Sequence, residues 1–365
     1  MIRGTGPETV RSALESGDPL PGTTGFAGEL DGRLVRDVLG RVPLYLEDEA
    51  SLAHADDGRV WAFSPAELAD PVPVPAGTVL EDDGRTRVWE LPAPEPEADH
   101  ERALEAVDQA IRSAAAVTPD DVAVAFSGGI DSALLASLLD APLYVVGFPD
   151  SHDVEAARTA AEAMGRDLTV VDLEPADLER AVPHVARATG RTNAMDVQIA
   201  LGLYLVAERV ADDGFDRLAV GQGADELFGG YEKVARLDHR VEADTVRGAV
   251  REQIRTLPEQ LPRDVLAIEA AGIEPVAPFL HDVVVEAALA LPTELLIDDE
   301  TRKRGLRLVA REYLPASVAD RDKKAVQYGS LIARELDRLA RQAGYKRRMD
   351  DHVTKYVRSL LEKSY

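Results

Sequence analysis

The sequence predicts an α/β protein: a parallel sheet with helices on both faces and a helical C-terminal extension, preceded by a small β-rich domain. Three observations predict it. Short apolar runs at 122–126, 143–146, 168–171 and 217–220 are separated by stretches long enough for helices; that alternation calls for parallel strands joined by helical crossovers. Residues 25–91 carry short alternating strands punctuated by turn residues, and after Tyr231 the periodicity is helical to the end.

In chain order, residues 1–20 offer a short amphipathic piece ending in Gly17-Asp18-Pro19, read as a frayed arm. Pro43 to Leu46, Val60 to Phe63 and Thr78 to Leu80 are the clearest strands of the β-rich part. Leu91 to Asp99 is proline-rich and acidic and reads as a stiff linker. The expected division is therefore a β-rich region 1–91, a linker 92–99 and an α/β region 100–365 that begins with a helix from His100 to Ala116 and ends in helices.

Between the strand at 122–126 and a helix from Asp131 to about Leu139 lies Ser127-Gly128-Gly129-Ile130-Asp131-Ser132. Two glycines let the backbone curl so that its N–H groups, the Ser127 and Ser132 hydroxyls and a helix N-terminus face one point, a pocket for phosphate. The G-x-x-x-x-G-K-[ST] spacing fails, and no lysine precedes Lys233. A carboxylate in place of lysine suits a phosphate brought in as its magnesium complex, with Asp131 on the metal. The plainer alternative is a tight turn in which Asp131 and Ser132 are helix caps.

At these residues the chain resembles the PP-loop ATP pyrophosphatase superfamily, marked by S-G-G-x-D-S, which has a HUP-like sheet. The resemblance implies that ATP is split between its α- and β-phosphates, a substrate is adenylated and pyrophosphate is released, with ATP and Mg2+ as cofactors. It assigns nucleotide binding to Ala125, Ser127, Gly128, Gly129, Asp131 and Ser132. By position it adds Val146 and Gly147 at the end of the second strand and Val220 and Gly221 at the end of the fourth.

Gly221-Gln222-Gly223-Ala224-Asp225-Glu226-Leu227-Phe228-Gly229-Gly230-Tyr231 follows the fourth strand. It resembles the G-E-G-A-D-E-L-F-G-G-Y signature of asparagine synthetases, and implies that Asp225 joins Asp131 on magnesium, with Glu226 and Gln222 in the catalytic group. The family's first carboxylate is Gln222 here; an amide can hydrogen-bond an amine but cannot take its proton. Further on, Pro278-Phe279-Leu280-His281 matches P-F-L-D with His281, read as structural, in place of the acid. Lys303-Arg304-Gly305-Leu306-Arg307 matches K-x-x-L-R, and Arg321-Asp322-Lys323 matches R-x-K, whose lysine meets the pyrophosphate and the acyl oxyanion. Lys323 fits that spacing, with Lys324 as fallback; the next residues, to Ser330, are closer to asparagine synthetase domain-containing proteins.

Arg36 to Tyr45, Trp61 to Ser64 and Pro75 to Leu80 look like the later part of the family's glutaminase domain. That domain uses an N-terminal cysteine, whereas Met1 is followed here by Ile2 and the chain has no cysteine. The resemblance implies a truncated region that does not release ammonia from glutamine.

Absence of cysteine excludes disulfides, cysteine-based zinc sites and thiol nucleophiles. No apolar run has membrane length and no signal segment is evident, so the expectation is a soluble cytoplasmic protein. A net charge of −25, with only seven lysines, reads as adaptation to high salt and argues against general nucleic-acid or membrane binding. The tail from Leu331 is different, with nine Lys and Arg against five Asp and Glu. The leading expectation is an ATP-dependent carbon–nitrogen ligase acting on a small carboxylate and an amine. The alternatives are a non-catalytic nucleotide-binding regulator and an adenylating enzyme of tRNA, for which the basic tail would hold RNA.

Overall fold

The computed structural model describes residues 1–48, 60–81, 84–298, 301–321 and 331–363. They form two compact units, each assembled from separate stretches of chain. One comprises Met1–Thr118, Gly221–Pro262 and Ala277–Tyr313, the other Pro119–Val220, Arg263–Val276 and Leu314–Tyr365.

The first unit is antiparallel at its N-terminal end. Ile2–Arg3 (β1), Ala27–Leu30 (β2), Arg33–Arg36 (β3), Tyr45–Leu46 (β4), Trp61–Ala62 (β5), Val72–Pro73 (β6), Thr78–Glu81 (β7) and Gly84–Arg87 (β8) make a five-stranded sheet, β1-β2-β3-β7-β8, and a three-stranded one, β5-β4-β6. The first residues are not a frayed arm. β1 pairs with β2, and the helix Pro7–Ser16 (α1) buries Val10 and Ala13 among Phe26, Val35, Val79 and Trp89. Val10 and Ala13 lie three apart, so one short helical face covers the sheet.

The expected linker has no regular structure but is held fast. Arg251 donates to the Leu91 and Pro92 carbonyls, Arg247 to that of Pro94 at 2.8 Å, and the Glu97 N–H to that of Ala290 at 2.9 Å. The compact units accordingly do not break at residues 92–99. His100–Ala116 (α2) is capped by Asp99, which accepts from the Glu101 and Arg102 N–H groups, and it packs on the helices Asp282–Leu289 and Arg304–Ala310.

A buried ion network ties the β-rich part to this helical part. Arg41 Nε donates to Asp37 at 2.9 Å, while its Nη1 donates to Asp282 at 2.6 Å and to the Leu280 carbonyl at 2.7 Å. Asp282 also accepts from the Thr23 N–H at 2.7 Å and hydroxyl at 3.1 Å.

The second unit holds the parallel sheet, built from Val122–Ala125 (β9), Leu143–Gly147 (β10), Leu168–Asp172 (β11), Arg217–Ala219 (β12) and Glu274–Val276 (β13) in the order β11-β10-β9-β12-β13. Ile130–Leu139 (α3), His152–Ala163 (α4), Pro175–Thr189 (α5) and Ala194–Asp212 (α6) supply the crossovers and flank it. α5 and α6 bury Leu178, Val182, Val185, Val197 and Leu201 against Ile332, Leu336, Val353 and Val357 of the two C-terminal helices. The chain builds outward from β9 to β11, then returns to place β12 on the other side of β9. The order reverses there, and a ligand crevice is expected at that point, outside the strands' carboxyl ends.

Among the described residues after Tyr231, three short strands depart from the sequence reading, β13 and an antiparallel pair at Ile297–Asp298 and Thr301–Arg302. β13 lies in the region expected to be wholly helical, and it completes the sheet by pairing with β12. It has three residues with Pro275 at its centre, and proline removes a ladder donor that only an edge strand can forgo. Among the described residues no helix is long and apolar enough to cross a membrane.

Candidate active site

In the sheet-bearing unit the Ser127–Ser132 loop joins β9 to α3. Gly128 has φ +70°, and a Cβ there would stand 2.5 Å from the Ala156 carbonyl oxygen. Only glycine lets the turn pass that backbone. The Ser127 N–H donates to Ser132 Oγ at 3.2 Å, the two hydroxyls lie 3.2 Å apart, and the Gly129 N–H reaches Ser127 Oγ at 3.4 Å. Gly128→Ala is expected to cost at least about 1 kcal/mol from the left-handed backbone alone, read as a lowered denaturation midpoint.

Gly129 occupies the cap position of α3 and provides no side-chain cap. Asp131 and Ser132 lie inside the first turn, both buried, so neither acts as the cap that the plainer reading required. Gly129 has no side chain to cap α3, and among the described residues a Cβ built on it would meet only Ser127 Oγ, at 3.4 Å. A helix start without a side-chain cap, beside two hydroxyls, fits a phosphate group.

Ala125 ends β9, and Val146 and Gly147 end β10 beside it. Val146 packs partly on the core of α5 and α6. On the other side of β9, the Val220 N–H donates to the Val276 carbonyl at 2.9 Å, and the chain leaves the sheet at Gly221.

Gln222, Asp225 and Glu226 belong to the first unit, with a single helical turn at Ala224–Leu227. Asp225 is engaged there by a partner that sequence reading left without a role: Lys303 Nζ lies 2.6 Å from its Oδ1. Lys303 is buried and itself has a left-handed backbone, φ 56°. Gly230 makes room for the pair, since a Cβ there would fall 2.0 Å from Asp225 Oδ1 and 2.5 Å from Lys303 Cε. The scarcity of lysine, seven in the whole chain, together with the match of Lys303 to Arg307 to K-x-x-L-R, was the sequence signal that could have marked Lys303. Asp131 and Asp225 thus fall in different compact units, and Lys323 and Lys324 lie outside the described residues.

Glu226 accepts a hydrogen bond from the Tyr231 hydroxyl, and burial pushes its carboxyl above the ordinary glutamate range. A raised folded pKa means stability that is full below the unfolded value and is lost as pH rises through the folded one. Glu226→Gln should therefore melt increasingly above the wild type as pH climbs from about 4; a pH-independent difference would contradict this.

His281 accepts from the Val283 N–H at 3.3 Å and caps the helix Asp282–Leu289, a structural role. Burial lowers its pKa. Among the described residues no group of three or more His, Asp or Glu side chains is placed to hold a metal ion. A magnesium ion would come with the phosphates and need only one or two carboxylates.

The asparagine synthase family matches residues 102–266 and 238–364, which together take in both of these loops. The chain belongs to the asparagine synthase family. Its relatives include a putative glutamine-hydrolyzing asparagine synthetase of Methanocaldococcus jannaschii, 29% identical over 73% of this chain and 57% of that protein. Asparagine synthetase B of Escherichia coli, also glutamine-hydrolyzing, is 24% identical over 86% of this chain and 62% of its own length. An asparagine synthetase domain-containing protein of Saccharomyces cerevisiae is 33% identical over 31% of this chain and 21% of its own. The chain thus spans about six-tenths of the length of the first two relatives.

In this member of the asparagine synthase family, the P-F-L-D resemblance is broken at its last position. His281 stands in place of the acid, and the carboxylate that follows, Asp282, is spent on Arg41.

Proposed function

We propose that this member of the asparagine synthase family is an ATP-dependent carbon–nitrogen ligase. A carboxylate oxygen of the substrate attacks the α-phosphorus of ATP, the bond to pyrophosphate breaks, and an acyl-adenylate forms. An amine then attacks the acyl carbon, loses its proton, and AMP leaves. The single observation that carries this reading is the Ser127–Ser132 loop: a glycine-rich turn into a helix start without a side-chain cap, with two hydroxyls beside it, suits the departing pyrophosphate.

When bound, magnesium would offset the charge on the phosphates, and the roles of Asp131 and Asp225 as its carboxylates are part of this proposal. Gln222 would orient the amine by hydrogen bonding without taking its proton. Lys323 would meet the growing negative charge of the acyl oxyanion. The 365 residues contain no cysteine, so within them no thiol can accept an acyl group from glutamine, and a free amine is the expected nucleophile.

Incubating the protein with ATP, magnesium and panels of small carboxylates and amines should release pyrophosphate only when a cognate acid is present. Glutamine should serve no better than other amines. A regulator is the second reading, favoured by the Lys303 ammonium already seated on Asp225 and by the amide at Gln222. It predicts ATP binding without pyrophosphate under every substrate mixture.

A further inference from the structure

The sheet-bearing unit has a second opening at the carboxyl edge of its strands. The turn that follows β10 and the helix Ile332–Gln342 enclose a cleft of about 470 Å³, within the size range of small-molecule sites. One wall is apolar, made by Phe148, Pro149 and Leu331. The other presents Arg334, Arg338 and Arg341, which share one helix face because residues three and four apart are neighbours. None of the Ser127–Ser132 residues lines it.

The charges along this wall do not cancel. Arg338 is forked onto Glu335, with Nε at 2.8 Å. Arg341 meets Asp337 at 3.0 Å, but that carboxylate also takes Arg347 at 2.7 Å and His352 at 2.8 Å. Among the described residues no hydrogen bond or ion pair holds Arg334. Four guanidinium groups thus face two carboxylates on their own side, and Asp150 is the one acid on the opposite turn lining the cleft. In a chain of net charge −25, this is a local inversion of sign beside an apolar surface.

We propose that the cleft binds the anionic group of a small molecule, a carboxylate or a phosphate, on Arg334 and Arg338, with the ligand's apolar body against Phe148, Pro149 and Leu331. Guanidinium forks pair with both anions in bidentate fashion. The site follows β10 whereas the Ser127 loop follows its neighbour β9, so two ligands could enter the same sheet edge from adjacent strands. Binding there does not require adenylation at the Ser127 loop.

The test is calorimetric titration of the full chain, without ATP, with citrate and with inorganic phosphate. Binding of at least one is expected, and which one distinguishes a carboxylate from a phosphate ligand. Arg334→Glu should weaken it at least tenfold with no change in melting temperature, because Arg334 is exposed and pairs with no acid among the described residues. Glu335→Gln should strengthen it by releasing Arg338. Ser127→Ala should leave citrate binding unchanged. The proposal is overturned if neither anion binds, if Arg334→Glu binds as the wild type does, if Glu335→Gln weakens binding, or if citrate binding is lost in Ser127→Ala instead. Binding of a single-stranded oligoribonucleotide with neither small anion would overturn it too.

Discussion

Replacing Asp131 with alanine is expected to reduce ATP-dependent pyrophosphate release by about a hundredfold or more, the scale of losing one preorganised electrostatic group, while leaving the protein folded. The carboxylate is buried in the first turn of α3. Its charge at that helix N-terminus contributes about 0.3–1 kcal/mol, which is too little to unfold a two-unit protein. Asp131→Asn keeps the shape and removes the charge, so it should match alanine in turnover and the wild type in melting temperature. Raising magnesium should recover part of the loss in neither variant. Full turnover in Asp131→Ala, measured with the cognate acid and amine, would remove the adenylation mechanism.

The second large effect is on stability. Arg41→Met should lower the free energy of unfolding of the first unit by about 3–5 kcal/mol, because it leaves buried charges without their shared cation. Asp37 and Asp282 are both about 0–1% exposed, and each takes a donor from Arg41. Asp37 keeps the Leu39 and Arg41 N–H groups, and Asp282 keeps Thr23, so the loss should stop short of complete unfolding. Adding Asp282→Asn to Arg41→Met should cost less than the sum of the two single changes, since the second removes a charge the first has stranded. Urea denaturation of the four proteins measures this. Additivity, or a loss below about 1 kcal/mol for Arg41→Met, would mean that the network is not a linkage between the β-rich and helical parts of the unit.

The strands that the sequence revealed are those with continuous apolar runs. Val122 to Ala125 and Leu143 to Gly147 are buried almost throughout, Leu168 to Asp172 is half-buried at the edge of the sheet, and apolar, β-branched runs of that length bounded by turns have few other uses. β13 escaped because three residues around Pro275 carry no periodic signal; only an unfilled edge beside β12 makes them a strand. α1 escaped for a related reason. Val10 and Ala13 make a face that means little until Trp89, 76 positions away from Ala13, arrives to cover it and donates to the Ala13 carbonyl.

The candidate site divides in the same way. What depends on neighbours in the chain was legible in the sequence: the Gly128 turn, the hydroxyls at 127 and 132 and the start of α3 all lie within six residues, so their conformations are coupled through local backbone geometry. What depends on burial between distant segments was not. Lys303 on Asp225, Arg41 on Asp282, and the arginine face of Ile332–Gln342 against the turn after β10 join residues separated by tens to hundreds of positions. A charged side chain is indistinguishable from solvated surface until folding removes water from it and makes an opposite charge the cheapest neighbour. The family and the Ser127–Ser132 loop were therefore legible in short-range pattern, while the partners of the carboxylates were decided only when the chain closed on itself.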